Sequence, residues 1–283
     1  MSKEESKVES GVFSVEKALE LVEQASKDKR LTVRDDLFEF PVLLDAARIC
    51  RKRGGRLRLI DTGKFDFFHL EWLGKAGMDF YTGSDRRTDL VKLNYINEAC
   101  KKSGGTVFYF IKGPLKEDET EAKEDTLSFS DLKDMRRMGI DLHLSSREKA
   151  WDLSKLKELA ESLKKRCSEL VYYHHGKFDK DLIGLASKGV WIHLSGDSLD
   201  QDEKDTELFD TLCAAGNAAK RLIFHIENLP DPSLLVFLLK AGAHLLFKNR
   251  LFDYRSPYRP IVRAAEKKRL SERAYYLYSM ILL

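Results

Sequence analysis

Two stretches of this chain can be laid on one another without a gap: CRKRGGRLRLIDTG at 50–63 and CKKSGGTVFYFIKG at 100–113. Each holds Cys, two basic residues, Gly-Gly, a short apolar run and a closing Gly at the same offsets. A glycine after an amphipathic stretch can take the left-handed conformation that ends a helix. The apolar run that follows reads as a strand, and the last Gly as its turn. A helix–glycine–strand unit that recurs predicts parallel strands joined by helical crossovers.

Eight runs along the chain fit that unit: Arg56–Thr62, Asp79–Thr82, Thr106–Lys112, Asp141–Ser145, Glu169–His175, Val190–Ser195, Arg221–Glu227 and His244–Lys248. The even-numbered ones resemble one another too, as GIDLHLSS at 139–146 and GVWIHLSG at 189–196. Between the runs lie amphipathic stretches such as Ser154–Lys165 and Ser233–Lys240, whose apolar residues recur at helical spacing. Eight strand–helix units in 283 residues predict an α/β fold, a (β/α)8 TIM-type barrel built from a fourfold βαβα repeat. A doubly wound open sheet is the competing arrangement. Residues 1–35 read as an N-terminal helical extension, with a helix over Ser14–Lys27 capped by Ser14, and 36–283 as the barrel domain. A further helix over Pro41–Arg53 opens on its proline. The acidic stretch 115–126 reads as a solvated loop, with a lid over the site as the functional option.

The composition narrows the function. Forty-nine basic against 46 acidic residues leave +3, too little to predict nucleic-acid binding. MSKEESKVES mixes charges and is followed by no apolar leader, and no apolar run reaches the ~20 residues of a membrane span. The apolar AYYLYSMILL at 274–283 reads as a closing helix. Four cysteines without CxxC spacing make no disulfide framework or zinc site, so a reduced, cytoplasmic setting is expected. No P-loop, GxGxxG or GxSxG elbow is present, and GDSL at 196–199 lacks a downstream DxxH.

In a barrel of this type chemistry gathers where strands end. Five of the seven histidines fall there: His143, His174, His175, His193 and His225. Because alternate strand residues face opposite sides, an inward-facing set would hold Lys112, His175 and Glu227, with His225 one layer deeper. His143 and His193 would lie beneath Ser145, Ser195 and Lys248, and His174 would face the helices. Three chemistries fit such a set. Lys112 or Lys248 among apolar walls could be a Schiff-base nucleophile or base, with His175 and Glu227 moving protons. His143, His175, His193 and Glu227 could hold a divalent metal. Or the imidazoles form a hydrogen-bonded polar core without catalysis. After the last strand, Lys248, Arg250, Arg255 and Arg259 offer forks for carboxylate or phosphate, though no Gly-rich cradle accompanies them and Asp253 could pair with them. Arg86 and Arg87 read as exposed.

The leading expectation is therefore an enzyme acting on a small anionic or phosphorylated metabolite by acid–base or Schiff-base chemistry of the lyase or isomerase kind. Its expected catalytic residues are Lys112, His175 and Glu227; its expected substrate contacts are His143, His193, Ser195, Lys248, Arg250 and Arg255. No cofactor is predicted beyond the divalent-metal option, and a homo-oligomer is compatible with the sequence. A non-catalytic binding or scaffold barrel is the alternative.

Overall fold

The positions of the glycines explain the order of elements. In the computed structural model, Gly54 and Gly104 both have positive φ, 72° and 83°. Each stops a helix one residue before a strand-leading glycine whose N–H bonds back to a cysteine carbonyl: Gly55 to Cys50 at 2.8 Å and Gly105 to Cys100 at 2.7 Å. Gly63 and Gly113, after the strands, also have positive φ. The two matching stretches thus adopt matching turns, because only glycine takes this conformation without steric cost.

The structure describes residues 18–27, 30–116, 126–147, 150–162, 168–178, 180–195, 212, 214–227, 230–247 and 257–268. Two compact units divide the chain, 1–140 and 141–283. In the first, helix α1 (18–27) precedes strand β1 (Arg30–Arg34). Helix α2 (Phe40–Lys52), β2 (Arg56–Ile60), α3 (Phe67–Ala76), β3 (Asp79–Gly83), α4 (Leu90–Lys102), β4 (Val107–Phe110) and α5 (Phe129–Met138) follow. Strands β1 to β4 pair in chain order, all parallel. The second unit holds β5 (Asp141–Ser145), α6 (Leu153–Glu161), β6 (Leu170–His174), α7 (Lys180–Ser187), β7 (Trp191–Ser195), β8 (Leu222–Ile226), α8 (Pro232–Ala241), β9 (His244–Phe247) and α9 (Tyr258–Lys267). Its strands β5 to β9 are again parallel and in chain order. Nine parallel strands alternating with helices fit an α/β TIM-type fold.

Short polar caps start the helices where the sequence changes period. Asp66, Asp89, Asp152 and Asp231 each accept a backbone N–H of the first turn, and Ser128 forms a reciprocal capping box with Asp131. The strands are buried on both faces, as a covered parallel sheet requires, with Leu57, Leu59, Phe80, Tyr109, Leu142, Leu144, Ile192 and Phe224 out of solvent. Carboxylates tie strand beginnings together: Asp79 accepts from Thr106 N at 3.0 Å, and Asp141 from Glu169 N at 2.7 Å.

The strand count corrects the sequence reading. Nine strands, not eight, are present among the described residues, and the additional one, β1, lies in the 1–35 segment read as helical. RLTVR offers only Leu31 and Val33 between charged ends, too weak a pattern to stand out alone. Its place comes from pairing: Leu31 aligns with Leu57 and Val33 with Leu59 of β2. Several predicted strands also end early. β2 stops at Ile60, and beyond it the side chains of Asp61 and Thr62 bond to Thr82 and Asp35. The expected Ser14 cap, most of the acidic loop (117–125) and the closing segment 274–283 lie outside the described residues.

Gly105 gives a direct test of how closely the turns are packed. A Cβ there would sit 2.0 Å from the Met78 carbonyl oxygen, whereas one on Gly113 would meet nothing within 4 Å. Gly105→Ala is expected to cost more than about 3 kcal/mol through overpacking against backbone, and Gly113→Ala only about 1 kcal/mol of left-handed strain. Urea unfolding of both variants measures the difference; equal losses would show that the close approach is not required.

Candidate functional site

The register of the second unit decides which side chains can meet. Ser145 lies beside Tyr173, Tyr173 beside His193, and Ser195 beside His225. By strand parity these residues share one face with His143, Val171, Trp191 and Ile223. The opposite face carries Leu142, Leu144, Tyr172, Ile192, Leu194 and Phe224. Neighbouring strands are ~4.8 Å apart, so polar side chains on four successive strands come within hydrogen-bonding range.

They do meet. His143 Nδ1 is 3.1 Å from Tyr173 Oη. The Tyr173 ring lies against His193 with centroids 4.5 Å apart. His193 Nδ1 is 2.7 Å from His225 Nε2. His143 and His193 are 1% and 3% exposed and Tyr173 is buried, while His225 is half-buried at the solvent side of the row. Below the row Val171, Trp191 and Ile223 form an apolar floor with Tyr173, and Leu246 packs against it. Two imidazoles joined nitrogen to nitrogen require one N–H and one lone pair, so the tautomer of one ring dictates that of the other. Such a pair can pass a proton across its bond, with half-buried His225 the member nearer solvent. Tyr173 is the member sequence reasoning missed. The signal was there: in YYHH at 172–175, Tyr173 has the parity of His175.

The other expected residues are placed less centrally. His175 and Glu227, just beyond β6 and β8, are exposed, and the His175 N–H donates to Ser146 Oγ at 2.7 Å. Ser195, at the end of β7, is half-buried. His174 turns to the other face, with Nε2 2.9 Å from the Lys177 carbonyl. Lys112 belongs to the first unit. Its Nζ lies 3.1 Å from Asp85 Oδ2, and its side chain is 32% exposed. The apolar enclosure expected around Lys112 is therefore corrected to an ion pair at the β4 end, formed because Asp85 follows β3 beside it. Lys248, Arg250 and Arg255 lie outside the described residues, and Arg259 is exposed on α9.

The metal option does not assemble. Among the described residues no group of three or more His, Cys, Asp or Glu side chains could hold a metal ion. His143, His175, His193 and Glu227 do not converge because His175 and Glu227 stand at the exposed strand ends while His193 is buried two residues below the level of His175, and His143 four.

The first unit has its own polar centre at the strand ends, one that the sequence reading placed on the surface. Arg87 grips Asp61 with two bonds of 2.8 Å and donates to the Phe65 carbonyl at 2.7 Å. Asp61, its side chain fully buried, also accepts from Thr82 Oγ1 at 2.7 Å and Gly63 N at 3.0 Å. Arg87 is thus corrected from an exposed to a largely buried residue, because only a bidentate cation satisfies that carboxylate. Arg86 donates to Asp85 and to the Thr62 carbonyl. Asp35, directly after β1, accepts from Thr62 N at 2.8 Å and Thr62 Oγ1 at 2.5 Å. Asp61 is fully engaged by protein donors, so this network clasps the ends of β1, β2 and β3 instead of presenting a free group.

No protein-family model matches this sequence, and no curated protein does. Among solved structures the chain is similar to an HpcH/HpaI aldolase from Desulfitobacterium hafniense DCB-2, at 10% identity over 89% of each chain with a TM-score of 0.28. It is similar to a D-psicose 3-epimerase in the presence of D-fructose, at 10% identity over 84% of this chain and 90% of that one, TM-score 0.32. It is also similar to a truncated 3-deoxy-D-arabino-heptulosonate 7-phosphate synthase from Thermotoga maritima, at 13% identity over 85% and 87%, TM-score 0.31. Likeness at this level assigns neither reaction nor substrate. Among the described residues no helix is long and apolar enough to cross a membrane.

Asp35 ties the clasp to pH. Burial pushes its carboxyl up from the ordinary 3.8, the Thr62 hydrogen bonds oppose this, and the nearby charges of Asp61 and Asp36 add to the rise. The folded state thus prefers protonated Asp35. Its stabilising contribution is fully present below the unfolded value and is lost as pH rises through the raised folded value. Asp35→Asn is expected to flatten that part of the stability–pH curve, measured by urea unfolding between about pH 3 and pH 7. A variant curve parallel to the wild type would contradict the assignment. Asp61→Ala is expected to cost about 3 kcal/mol by stranding Arg87.

Proposed function

We propose that the chain is an enzyme that moves protons on a small anionic metabolite, with His193 and His225 as its acid–base pair. The observation that carries the reading is the 2.7 Å bond between His193 Nδ1 and His225 Nε2, in line with Tyr173 and His143. Imidazole is the side chain whose ordinary protonation change falls near neutral pH, which suits general acid–base work. Buried Tyr173 and His143 fix the inner ring, and half-buried His225 offers the outer contact. In this reading His175, Ser195 and Glu227, at the exposed strand ends of the same parity, contact substrate. Lys248, Arg250 and Arg255, which the sequence sets directly after β9, supply its anion binding.

An isomerase or lyase that removes a proton beside a carbonyl group can work with such a pair and without a Schiff base. A Schiff-base nucleophile must be a neutral amine, and the engagement of Lys112 by Asp85 favours acid–base chemistry over that route.

The test is hydrogen exchange into substrate. The protein is incubated in D2O with a panel of phosphorylated sugars and hydroxy or oxo acids, and deuterium at carbon is read by NMR. Exchange is expected for at least one compound, falling by about 10²-fold or more in His193→Gln and in His225→Gln. Lys112→Met is expected to retain it. Absence of exchange and of thermal stabilisation across the panel would overturn the proposal. Loss in Lys112→Met with borohydride trapping of wild-type protein would move the chemistry to that lysine.

A further inference from the structure

Exposed large apolar side chains are not spread evenly. Seven occur among the described residues, and four of them, Phe68, Trp72, Val91 and Tyr95, lie on α3 and α4. They are 55–66% exposed. Phe68 and Trp72 are four residues apart on α3, and Val91 and Tyr95 four apart on α4, so each pair forms a row one helical turn long. The helices hold one another closely: a Cβ on Gly74 would be 3.1 Å from Ala99 Cβ and 3.2 Å from Cys100 N. Phe67 bridges the rows, with its ring 4.0 Å from Phe68 and 6.5 Å from Tyr95. An aromatic side chain can bury 150–250 Å², so three that are more than half exposed, with Val91, offer roughly 400 Å² of apolar surface. That is the upper range of what a monomer shows to water, and about half of what one partner of a standard interface buries.

The rim indicates what covers it. Lys75 pairs with Glu71 at 2.7 Å and stands 5.3 Å from the Trp72 ring centroid. Lys92 pairs with Asp89 at 3.1 Å and stands 6.0 Å from the Phe67 centroid. Each cation there has an anion beside it. A nucleic acid or an anionic lipid surface would call for an excess of cations. A rim carrying both signs in equal number complements a copy of itself. Crossover helices between parallel strands also run in the same direction, so a two-fold axis lying along and between the rows sets α3 of one copy parallel against α4 of the other, with Trp72 opposite Tyr95.

We propose that this face is an isologous dimer interface, with the Phe68–Trp72 row of one copy packed on the Val91–Tyr95 row of a second copy of this chain.

The full chain is examined by sedimentation equilibrium over roughly 1–100 μM, with circular dichroism confirming the fold. Wild-type protein is expected to shift with concentration from 32.6 kDa to twice that mass. Trp72→Glu and Tyr95→Lys, both at exposed positions, are each expected to remain monomeric. An equal mixture of the two is expected to dimerise again, because the carboxylate introduced in one variant then faces the ammonium introduced in the other, while the second contact keeps its native Trp72 and Tyr95. Three outcomes would overturn the proposal: a monomeric wild type over the whole range, dimerisation undiminished in Trp72→Glu, or a mixture that stays monomeric. Binding of monomeric wild-type protein to phosphatidylserine vesicles would likewise replace it with a membrane role.

Discussion

Parallel register in the second unit decides which polar side chains of β5 to β8 meet. Tyr173 sits beside His193, and Ser195 beside His225, only because β6, β7 and β8 pair as they do. Side chains in a strand alternate, so a slip of one residue would exchange the imidazoles for Leu144, Ile192, Leu194 and Phe224. The cost of that exchange is large on both sides of the sheet. Leucines would lose their cover, and buried rings would lose their partners. The apolar face and the polar row therefore hold one another in place. Rigid backbone elements, not loops, position the candidate acid–base pair.

The alternation of glycines, apolar runs and amphipathic stretches was enough to reach a parallel α/β fold of TIM type. Glycine made this legible. Gly54 and Gly104 sit at positions few other residues can fill, so the two segments around them announce the same turns. β1 escaped notice because five residues with charged ends carry little periodic signal, and its place depends on β2. The starts of α6 and α8, capped by Asp152 and Asp231, fall within one residue of the expected Ser154 and Ser233, since a cap is a local chemical event.

The candidate site was legible only in part, and for a physical reason. Parity along a strand is local, and it correctly separates His174 from the face that holds His143 and His193. Which strand-end residues reach inward is not local. His175 and Glu227 follow the last strand residues and stand in solvent, while Lys112 meets Asp85 across neighbouring strand ends. The clasp of Asp61 and Arg87 shows the same limit. Adjacent basic residues at 86 and 87 look alike in sequence, yet only one turns under the strand ends to meet a buried carboxylate. Long-range electrostatic pairing leaves no period to read.

The proposed chemistry requires His193 and His225 to behave as one proton-carrying unit. Nitrogen-15 NMR of the imidazole rings across neutral pH tests this directly. The two rings are predicted to titrate together, each curve biphasic, and His225→Gln is predicted to convert His193 to a single, displaced step. Independent single-step curves for both rings, unchanged for His193 in that variant, would contradict it.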